Sequence, residues 1–243
     1  MKNIICLRPM SGISGDMLVS NLLALHFPSQ KKIKEFINSI NLPDVKAKIS
    51  YSIESVKGIS GGRLNIQAEK VETARNIHKI SRIINSSNLS DYAKDLSIKT
   101  FNYLGKIEAR VHNIKFSKIH FHEIGAIDSI IDICLASELF FRLGNPDIYC
   151  SELPIGKGSV NCMHGLISNP PPAVQAMLAD VSIYEVNEYF ETVTPTGLAL
   201  LKCFNTKFEN FPTFQVTSCA RSFGMNTFEN IPNGLLGIYG RKQ

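Results

Sequence analysis

The order of apolar and polar residues in the first 26 positions constrains the fold more than any other feature of the chain. The run "NIICL" is typical of a β-strand, and "SGISGDMLVSNLLALHF" follows it with small residues and then apolar residues at helical spacing. Strand-like and helix-like runs continue to alternate, which predicts an α/β fold with a mixed sheet flanked by helices. Residues 45 to 70 predict a small antiparallel hairpin addition, because two alternating runs flank the turn signals Gly58, Gly61 and Gly62.

Later segments predict further elements of the same kinds. Helices are predicted at "KKIKEFINSI", "NIHKISRIINSS" and "SDYAKDLSIKTFNYLGKIEARVH", the last with Ser90 as its N-cap. "DSIIDICLASELFFRLG" predicts a helix that Asp128 caps and Gly144 ends. Strands are predicted at "KIHFHEI", "DIYCSELPI", "SIYEV" and "LLGIYG", with short helices from Ala173 and after "TPTG". The segment "GKGSVNCMHGLISNPPP" predicts a long surface loop.

The composition excludes several classes of protein. The net charge of +5 is mild and the lysines are spread along the chain, so no nucleic-acid partner is indicated. Six cysteines form no C-x-x-C pair, which is typical of reduced thiols in the cytoplasm. The richest apolar run, "IIDICLASELFF", contains Asp132 and Glu138 and is shorter than the roughly 20 apolar residues of a membrane span. We therefore expect a cytoplasmic protein with no membrane partner, folded as one domain over residues 1–243.

The stretch "SKIHFHEIGAIDSIIDI" places two histidines and three carboxylates among residues typical of a core. Residues two apart in a strand share a face, so His120 and His122 are expected to point the same way and Glu123 the other. Asp128 and Asp132 are four residues apart and share one face of the next helix, where they repel each other unless a cation lies between them. A structural alternative is a capping Asp128, a solvated Asp132 and two hydrogen-bonded histidines. For the whole group we favour a metal-binding or catalytic role.

The turn "SGISGD" lies between a predicted strand and a predicted helix. Ser11, Gly12, Ser14 and Gly15 are small enough for a ligand to approach free backbone N–H groups, and a helix N-terminus attracts anions. Alternatively, Ser14 is an ordinary N-cap with Asp16 in the first turn. The turn is not the G-x-S-x-G elbow of serine hydrolases, because Asp16 stands where the second glycine belongs. "GKGSV" likewise fails the P-loop pattern.

Two further pairs of residues are candidates for binding. Cys162 and His164 would suit a soft or borderline metal such as nickel, copper or zinc, although a buried cysteine beside a structural histidine is the alternative. In "TPTG", Thr194 and Thr196 place two hydroxyls at a predicted helix N-terminus. They could hold a phosphate or carboxylate, and plain capping explains them equally well.

Four segments in order resemble the LarC family of nickel-insertion proteins: "SGISGDML", "IHFHEIGAIDSIIDI", "GKGSVNCMHGLISNPPPAV" and "TVTPTGLALL". The resemblance extends to "FGMNTFENIPNGLLGIYG" near the end of the chain. It implies an enzyme, a nickel chelatase of the lyase class, that inserts nickel into pyridinium-3,5-bisthiocarboxylic acid mononucleotide. The product would be the nickel-pincer cofactor of lactate racemase, and the reaction would form nickel–carbon and nickel–sulfur bonds with consumption of CTP.

The resemblance also implies roles for individual residues. Nickel would be held by His120, His122, His164 and Cys162, the catalytic carboxylates would be Asp16, Glu123 and Asp128, and the substrate would contact Ser11, Gly12, Ser14, Gly15, Thr194 and Thr196. The sequence departs from the family pattern at three places. Arg8, Pro9 and Met10 replace a usual Asp-Cys-Phe run, "GMNTFEN" replaces a Gly-Thr-Arg-like segment, and the His-rich insertion of many members is absent.

The resemblance further implies that full-length relatives carry a C-terminal domain associated with nucleotide binding and that the chain corresponds to the N-terminal part of the family. CTP and magnesium or manganese are therefore expected to bind to that other domain, supplied by a separate chain or through self-association. One alternative function is that of a non-catalytic nickel carrier or an inactive paralogue with the same fold. A metal-dependent phosphohydrolase using the same carboxylates is another.

Overall fold

The computed structural model describes residues 2–68, 75–119, 121, 127–162 and 165–242. Its helices are α1 (Gly15–His26), α2 (Gln30–Ser39), α3 (Ile77–Asn85), α4 (Asp91–Val111), α5 (Ile127–Arg142), α6 (Pro172–Gln175) and α7 (Pro195–Cys203). Its strands are β1 (Lys2–Pro9), β2 (Ala47–Val56), β3 (Ile59–Ala68), β4 (Asp147–Cys150), β5 (Leu153–Ile155), β6 (Ser159–Cys162), β7 (Gly165–Ser168), β8 (Ile183–Glu185), β9 (Gln215–Ser222) and β10 (Leu235–Lys242). A 3-10 turn covers Phe116–Lys118.

Six strands form the main sheet, in the order β2-β3-β9-β10-β1-β4. The first strand, β1, runs antiparallel to β10 and parallel to β4, so the sheet is mixed. The β2–β3 hairpin joins β9 through the parallel pair Gly62–Ser222 and thus forms one edge of this sheet. Two smaller sheets pair β5 with β8 in parallel and β6 with β7 in antiparallel orientation.

Helix α1 is fixed on one face of the main sheet by polar contacts as well as apolar packing. The buried Asn21 amide donates to the carbonyl oxygens of Ala220 and Leu235, both at 3.1 Å, and the Ser222 hydroxyl donates to the Met17 carbonyl at 2.7 Å. Leu18 and Leu22 are fully buried in the same core. Because these bonds reach both β9 and β10, the N-terminal end of α1 has a set position above the sheet.

Helix α5 forms the centre of the helical layer. It contacts α1, α4 and α7, and it is buried on nearly all sides. This fits its sequence, since a helix that is hydrophobic on most sides is expected in a core position. No helix within the described residues has the length and apolar character that crossing a membrane requires.

Most of the predicted elements are confirmed. The α/β class, the mixed sheet, the hairpin at residues 45 to 70 and the helices α1 to α5 and α7 are present where they were expected. Ser90 is the N-cap of α4, and its side chain accepts from the Ala93 N–H. Gly144 follows the end of α5 with φ +81°, the left-handed conformation usual after a helix.

Two expectations about the elements are corrected, and one strand was missed. "DIYCSELPI" forms two strands in different sheets, β4 and β5, rather than one. The predicted surface loop contains the β6–β7 hairpin, and strand β9, which completes the main sheet, was not predicted. The β2–β3 hairpin is the predicted antiparallel addition, attached to the main sheet at one edge. The predicted strand at "KIHFHEI" lies mostly outside the described residues, within which Phe121 forms an isolated bridge with Arg75.

Candidate functional site

A cavity of about 500 Å³ opens where the first turns of three helices meet. The helices are α1, α5 and α7, and the cavity is completed by β3, by the β6–β7 hairpin and by the segment from Gly224 to Phe228. Its volume is within the range of small-molecule sites, roughly 300 to 1,000 Å³. The N-termini of three helices therefore converge on one space.

Backbone hydrogen bonds bring α1 and α7 to the same place. The Ile13 N–H donates to the Thr192 carbonyl at 2.8 Å, and the Thr194 N–H donates back to the Ile13 carbonyl at 3.0 Å. Gly12, at φ +103°, makes this approach possible, because a Cβ atom there would lie 1.6 Å from the Thr192 carbonyl oxygen. The segments that lead into α1 and α7 therefore run side by side, and both helices begin at the cavity.

Asp16 is the acidic group of the first turn of α1. Ser14 occupies the N-cap position with extended backbone, and its hydroxyl donates to the Asp16 carboxylate. Burial raises the pKa of Asp16, while the Ser14 hydrogen bond and, more weakly, the charge of Arg63 oppose that rise. The carboxyl is thus held in a fixed orientation with enhanced basicity, which suits a group that exchanges protons.

Asp132 lies deeper in the same cavity, one turn into α5. Only 7% of the residue is exposed, and its Oδ1 atom has no hydrogen-bond partner among the described residues. Burial raises the pKa of Asp132 well above its usual value, and the charges of Asp16 and Asp128 raise it further. The alternative of a solvated Asp132 is wrong, since α1 covers the face of α5 that carries it.

Asp128 stands at the mouth of the cavity. The described part of α5 begins at Ile127, so Asp128 lies inside the first turn and not at the N-cap position predicted for it. Its Oδ1 accepts from the Ser129 N–H at 2.8 Å. The residue is exposed, in contrast to Asp132 on the same helix face.

The two threonines of "TPTG" have different roles at the start of α7. Thr194 is the N-cap, and its hydroxyl accepts from the Gly197 N–H at 3.2 Å. Thr196 contacts Ser129 through their hydroxyls at 3.4 Å and so links α7 to α5. Capping thus accounts for Thr194, while the Thr196 and Ser129 hydroxyls both line the cavity.

The cavity is lined by both acidic and apolar side chains. Four carboxyl groups belong to the lining, those of Asp16, Asp128, Asp132 and Glu191. Lysine, arginine and histidine are absent from its lining within the described part of the chain. The apolar lining residues include Leu64, Ile66, Val160, Ile167 and Phe228. Such a lining favours a ligand that combines positive charge with apolar surface.

The structure brings together seven of the residues that the sequence proposed for the site. Those that line the cavity are Ser11, Ser14, Gly15, Asp16, Asp128, Thr194 and Thr196. Gly12 shapes the turn but does not line the cavity. His120, His122, Glu123 and His164 lie outside the described residues, as does the side chain of Cys162, whose backbone ends β6. Among the residues that are described, no group of three or more histidine, cysteine or acidic side chains is arranged to hold a metal ion.

Several lining residues were not expected from the sequence. Glu191 and Thr192 precede "TPTG" without any recognisable motif, and Leu64 comes from the middle of a hairpin strand. Of the segments that depart from the family pattern, "GMNTFEN" contributes Met225 and Phe228 to the cavity. Arg8, by contrast, lies 5.5 Å from the ring centre of Phe211 and is not part of the lining.

The sequence of the chain belongs to a known class of protein. The model of the nickel insertion protein family matches residues 5–243, and the chain belongs to this family. A protein from Staphylococcus epidermidis, named pyridinium-3,5-bisthiocarboxylic acid mononucleotide nickel insertion protein, is 34% identical over 226 residues, which cover 92% of this chain and 55% of that protein.

Relatives from two other bacteria also carry names that refer to nickel insertion. The relative from Geotalea uraniireducens is 33% identical over 234 residues, which cover 96% of this chain and 59% of the relative. The relative from Myxococcus xanthus is 33% identical over 244 residues, which cover 99% of this chain and 61% of the relative. The chain therefore spans less than two thirds of the length of these curated relatives. No solved structure matches it significantly.

Proposed function

We propose that this chain takes part in inserting nickel into pyridinium-3,5-bisthiocarboxylic acid mononucleotide, the compound named in the Staphylococcus epidermidis relative. The observation that carries the proposal is the cavity lined by Asp16, Asp128 and Asp132 together with apolar side chains. The nickel ion is a cation, and the substrate contains a flat aromatic ring. Carboxyl groups attract the nickel ion, and apolar side chains cover the faces of the ring.

The chemistry of the product calls for a proton acceptor. Forming a nickel–carbon bond at a ring carbon breaks a C–H bond, so one proton leaves for each nickel inserted. We assign that proton to the carboxylate of Asp16, whose burial raises its pKa toward the range in which a general base is effective. Ser14 orients the accepting group through its hydrogen bond, and Asp128 is a second candidate acceptor at the cavity mouth.

We assign the capture of nickel to residues that lie outside the described part of the chain. His120, His122 and His164 offer imidazoles, and the Cys162 thiol is a soft ligand suited to nickel. Residues near them in sequence line the cavity, since Asp128 follows His122 by six positions and Val160 precedes Cys162 by two. Nickel is the substrate of the reaction rather than a resident cofactor.

We assign the binding of CTP and of magnesium or manganese to the part of the longer relatives that this chain does not cover, supplied by a separate polypeptide or by self-association. Support comes from the sequence, since "GKGSV" and "SGISGD" both fail the phosphate-cradling P-loop pattern. The product would be used in the maturation of lactate racemase.

The test is synthesis of the nickel-containing nucleotide, followed by mass spectrometry. The purified chain, nickel and the bisthiocarboxylate substrate are combined with and without CTP, and with and without the C-terminal domain of a relative. We expect product only when CTP and that domain are both present, and an Asp16→Asn variant should reduce its rate by about 100-fold, the lower end for losing a general base. Asp91→Asn, at an exposed position on α4, is the matched control.

Two outcomes would contradict the proposal. Stoichiometric nickel binding with no product under any of these conditions would favour the nickel-carrier alternative. Tight CTP binding by the 243-residue chain alone, measured by calorimetry with magnesium or manganese, would overturn the assignment of the nucleotide to another domain.

A further inference from the structure

The carboxyl groups of Asp16 and Asp132 line the same cavity, but their surroundings differ. Asp16 accepts a hydrogen bond from the Ser14 hydroxyl, and the backbone N–H groups of Asp16 and Met17 also donate to it. Donors of this kind favour the ionised form of a carboxyl group. The surroundings of Asp16 are therefore those that a carboxylate requires.

Asp132 lacks comparable support. Only 7% of the residue is exposed, and its Oδ1 atom has no hydrogen-bond partner among the described residues. The backbone N–H of Asp16 donates to the carboxyl group, but no lysine, arginine or histidine belongs to the described lining. A buried charge without a cation beside it costs far more free energy than a buried neutral group. Protonation makes Oδ1 the carbonyl oxygen of a neutral acid, for which burial without a partner costs less.

The charged groups around Asp132 act in the same direction. Burial raises the pKa of Asp132 most, and the charges of Asp16 on α1 and Asp128 on α5 raise it further. The positive charge of Arg63 on β3 acts on Asp16 instead. Helices α4 and α7 also pack against α5, and within the described part of the chain neither brings a charged side chain to the cavity lining. Contacts and charges thus favour the same protonation state.

We propose that Asp132 is a neutral carboxylic acid at neutral pH and presents a hydrogen-bond donor to an anionic group of the ligand, while Asp16 remains the ionised member of the pair. The hydroxyl of a carboxylic acid donates, whereas a carboxylate only accepts. The proton belongs on Oδ2, because Oδ1 is enclosed without an acceptor. Two carboxyl groups whose surroundings favour opposite protonation states divide the acid and base roles of a site between them.

The protonation state concerns the free chain, whereas the choice of ligand rests on the proposed function. The name of the Staphylococcus epidermidis relative refers to a bisthiocarboxylic acid mononucleotide, a compound with several anionic groups. A neutral Asp132 removes one negative charge from the acidic lining and offers one donor to such a group. Asp16 and Asp128 remain available to attract the nickel ion. Asp132 therefore allows a cavity lined by carboxyl groups to accept an anion.

Infrared difference spectroscopy of the full chain tests the protonation state. A protonated carboxyl group has a C=O stretch that is separate from the bands of a carboxylate. Subtracting the spectrum of Asp132→Asn from that of the native chain at neutral pH should leave the band of one carboxylic acid. The same subtraction with Asp91→Asn, at an exposed position on α4, is the control and should leave the bands of a carboxylate. Carboxylate bands in the Asp132 difference spectrum would overturn the inference.

A second measurement needs no variant. The native chain labelled with carbon-13 in its aspartate carboxyl groups should show one protonated aspartic acid at neutral pH, and its signal should change to that of a carboxylate as the pH rises through the folded-state pKa of Asp132. Circular dichroism checks that the chain stays folded over this range. A labelled chain whose aspartates are all ionised at neutral pH would also refute the proposal.

Pyridine-3,5-dicarboxylate, a flat dianion, is the probe for the ligand. Its affinity, measured by calorimetry, should fall as the pH rises through the folded-state pKa of Asp132, because the donor is then replaced by a negative charge. Asp132→Asn keeps a donor without a charge and should bind the dianion with little dependence on pH. Asp132→Leu has a similar size but no donor, and should bind about tenfold more weakly, the order expected for losing a hydrogen bond to a charged group. Equal affinities of these two variants, or no binding by the native chain, would overturn the assignment of an anionic ligand.

The outcome is separable from that of the nickel-insertion test. A chain with a neutral Asp132 that forms no nickel product would retain the inferred acid and lose the proposed function. A chain that forms product with an ionised Asp132 would retain the function and lose the inference.

Discussion

A Cβ atom on Gly15 would lie 2.4 Å from Oδ2 of Asp132 and 2.8 Å from its Cβ and Cγ atoms. The first turn of α1 can therefore approach α5 only because residue 15 has no side chain. This contact places Asp16 and Asp132 in the same cavity, and it excludes bulk water from the Asp132 carboxyl. One glycine thus couples the packing of two helices to the electrostatics of the site.

Replacing Gly15 by alanine should disrupt this contact. The overlap requires α1 or Asp132 to move, and overpacking of this kind costs roughly 1 to 3 kcal/mol, which exceeds the usual gain in helix propensity. Urea denaturation should show a loss of about 2 kcal/mol in the free energy of unfolding. Gly224→Ala is the control, because its added atom would meet the flexible Met17 side chain at 3.0 Å and Ser14 Oγ at an ordinary contact distance of 3.6 Å. A Gly15→Ala variant as stable as the native chain would refute the argument.

Stability should also depend on pH through Asp132. The pKa of Asp132 is higher in the folded than in the unfolded state, so the folded protein binds its proton more tightly. Protonated Asp132 therefore contributes to the free energy of unfolding at low pH, and that contribution is lost as the pH rises through the folded-state pKa. Asp16 on α1 and Asp128 on α5 face the same group and add to the effect, while Arg63 on β3 acts on Asp16 in the opposite sense. The uncharged Asp132→Asn variant should lack the Asp132 contribution.

The measurement compares the free energies of unfolding of both proteins between about pH 4 and pH 8, starting near the unfolded pKa of aspartate. The native chain should lose stability relative to Asp132→Asn as pH rises. A constant difference over this range would mean that Asp132 titrates as an ordinary surface carboxyl, contrary to its burial.

Local pattern was enough to predict most elements, because β1 is a short apolar run and α1 and α5 are long, mainly apolar segments with helical start or stop signals. Strand β9 was missed for a physical reason. Only Ala220 and Ser222 of its eight residues are buried, so "QVTSCARS" shows no apolar alternation. Its place in the sheet is determined by pairing with β10 and by the Asn21 contact, which are long-range relationships.

Prediction of the site was limited in the same way, by contacts between residues far apart in the chain. The four-residue spacing of Asp128 and Asp132 correctly indicated a shared helix face, but not that α1 would cover half of it. Burial of Asp132 depends on Gly15, more than a hundred positions earlier in the chain. Glu191 could not be found at all, since its place in the cavity follows from the backbone pairing of Ile13 with Thr192 and Thr194. Convergence of distant segments carries no signal in a single sequence.

The cap at the start of α7 gives a third prediction. Thr194 accepts a hydrogen bond from the Gly197 N–H, and loss of such a cap typically costs about 1 kcal/mol. Thr194→Ala should therefore lower the free energy of unfolding by that amount in urea denaturation. Thr194→Ser retains a hydroxyl and should restore most of the stability. If serine and alanine destabilise equally, the hydroxyl is not what matters at this position.

Nickel binding provides the last prediction, which rests on sequence because His120 and His122 lie outside the described residues. Strand alternation predicts that residues two apart share a face, and Phe121 between them is buried and forms a bridge with Arg75. Two imidazoles on one face suit nickel, so replacing both by alanine should abolish stoichiometric nickel binding.

Metal analysis and calorimetry measure the binding, and circular dichroism checks the fold. His78→Ala, on α3, is the control and should bind nickel like the native chain. A folded double variant with unchanged nickel affinity would show that the metal is held elsewhere.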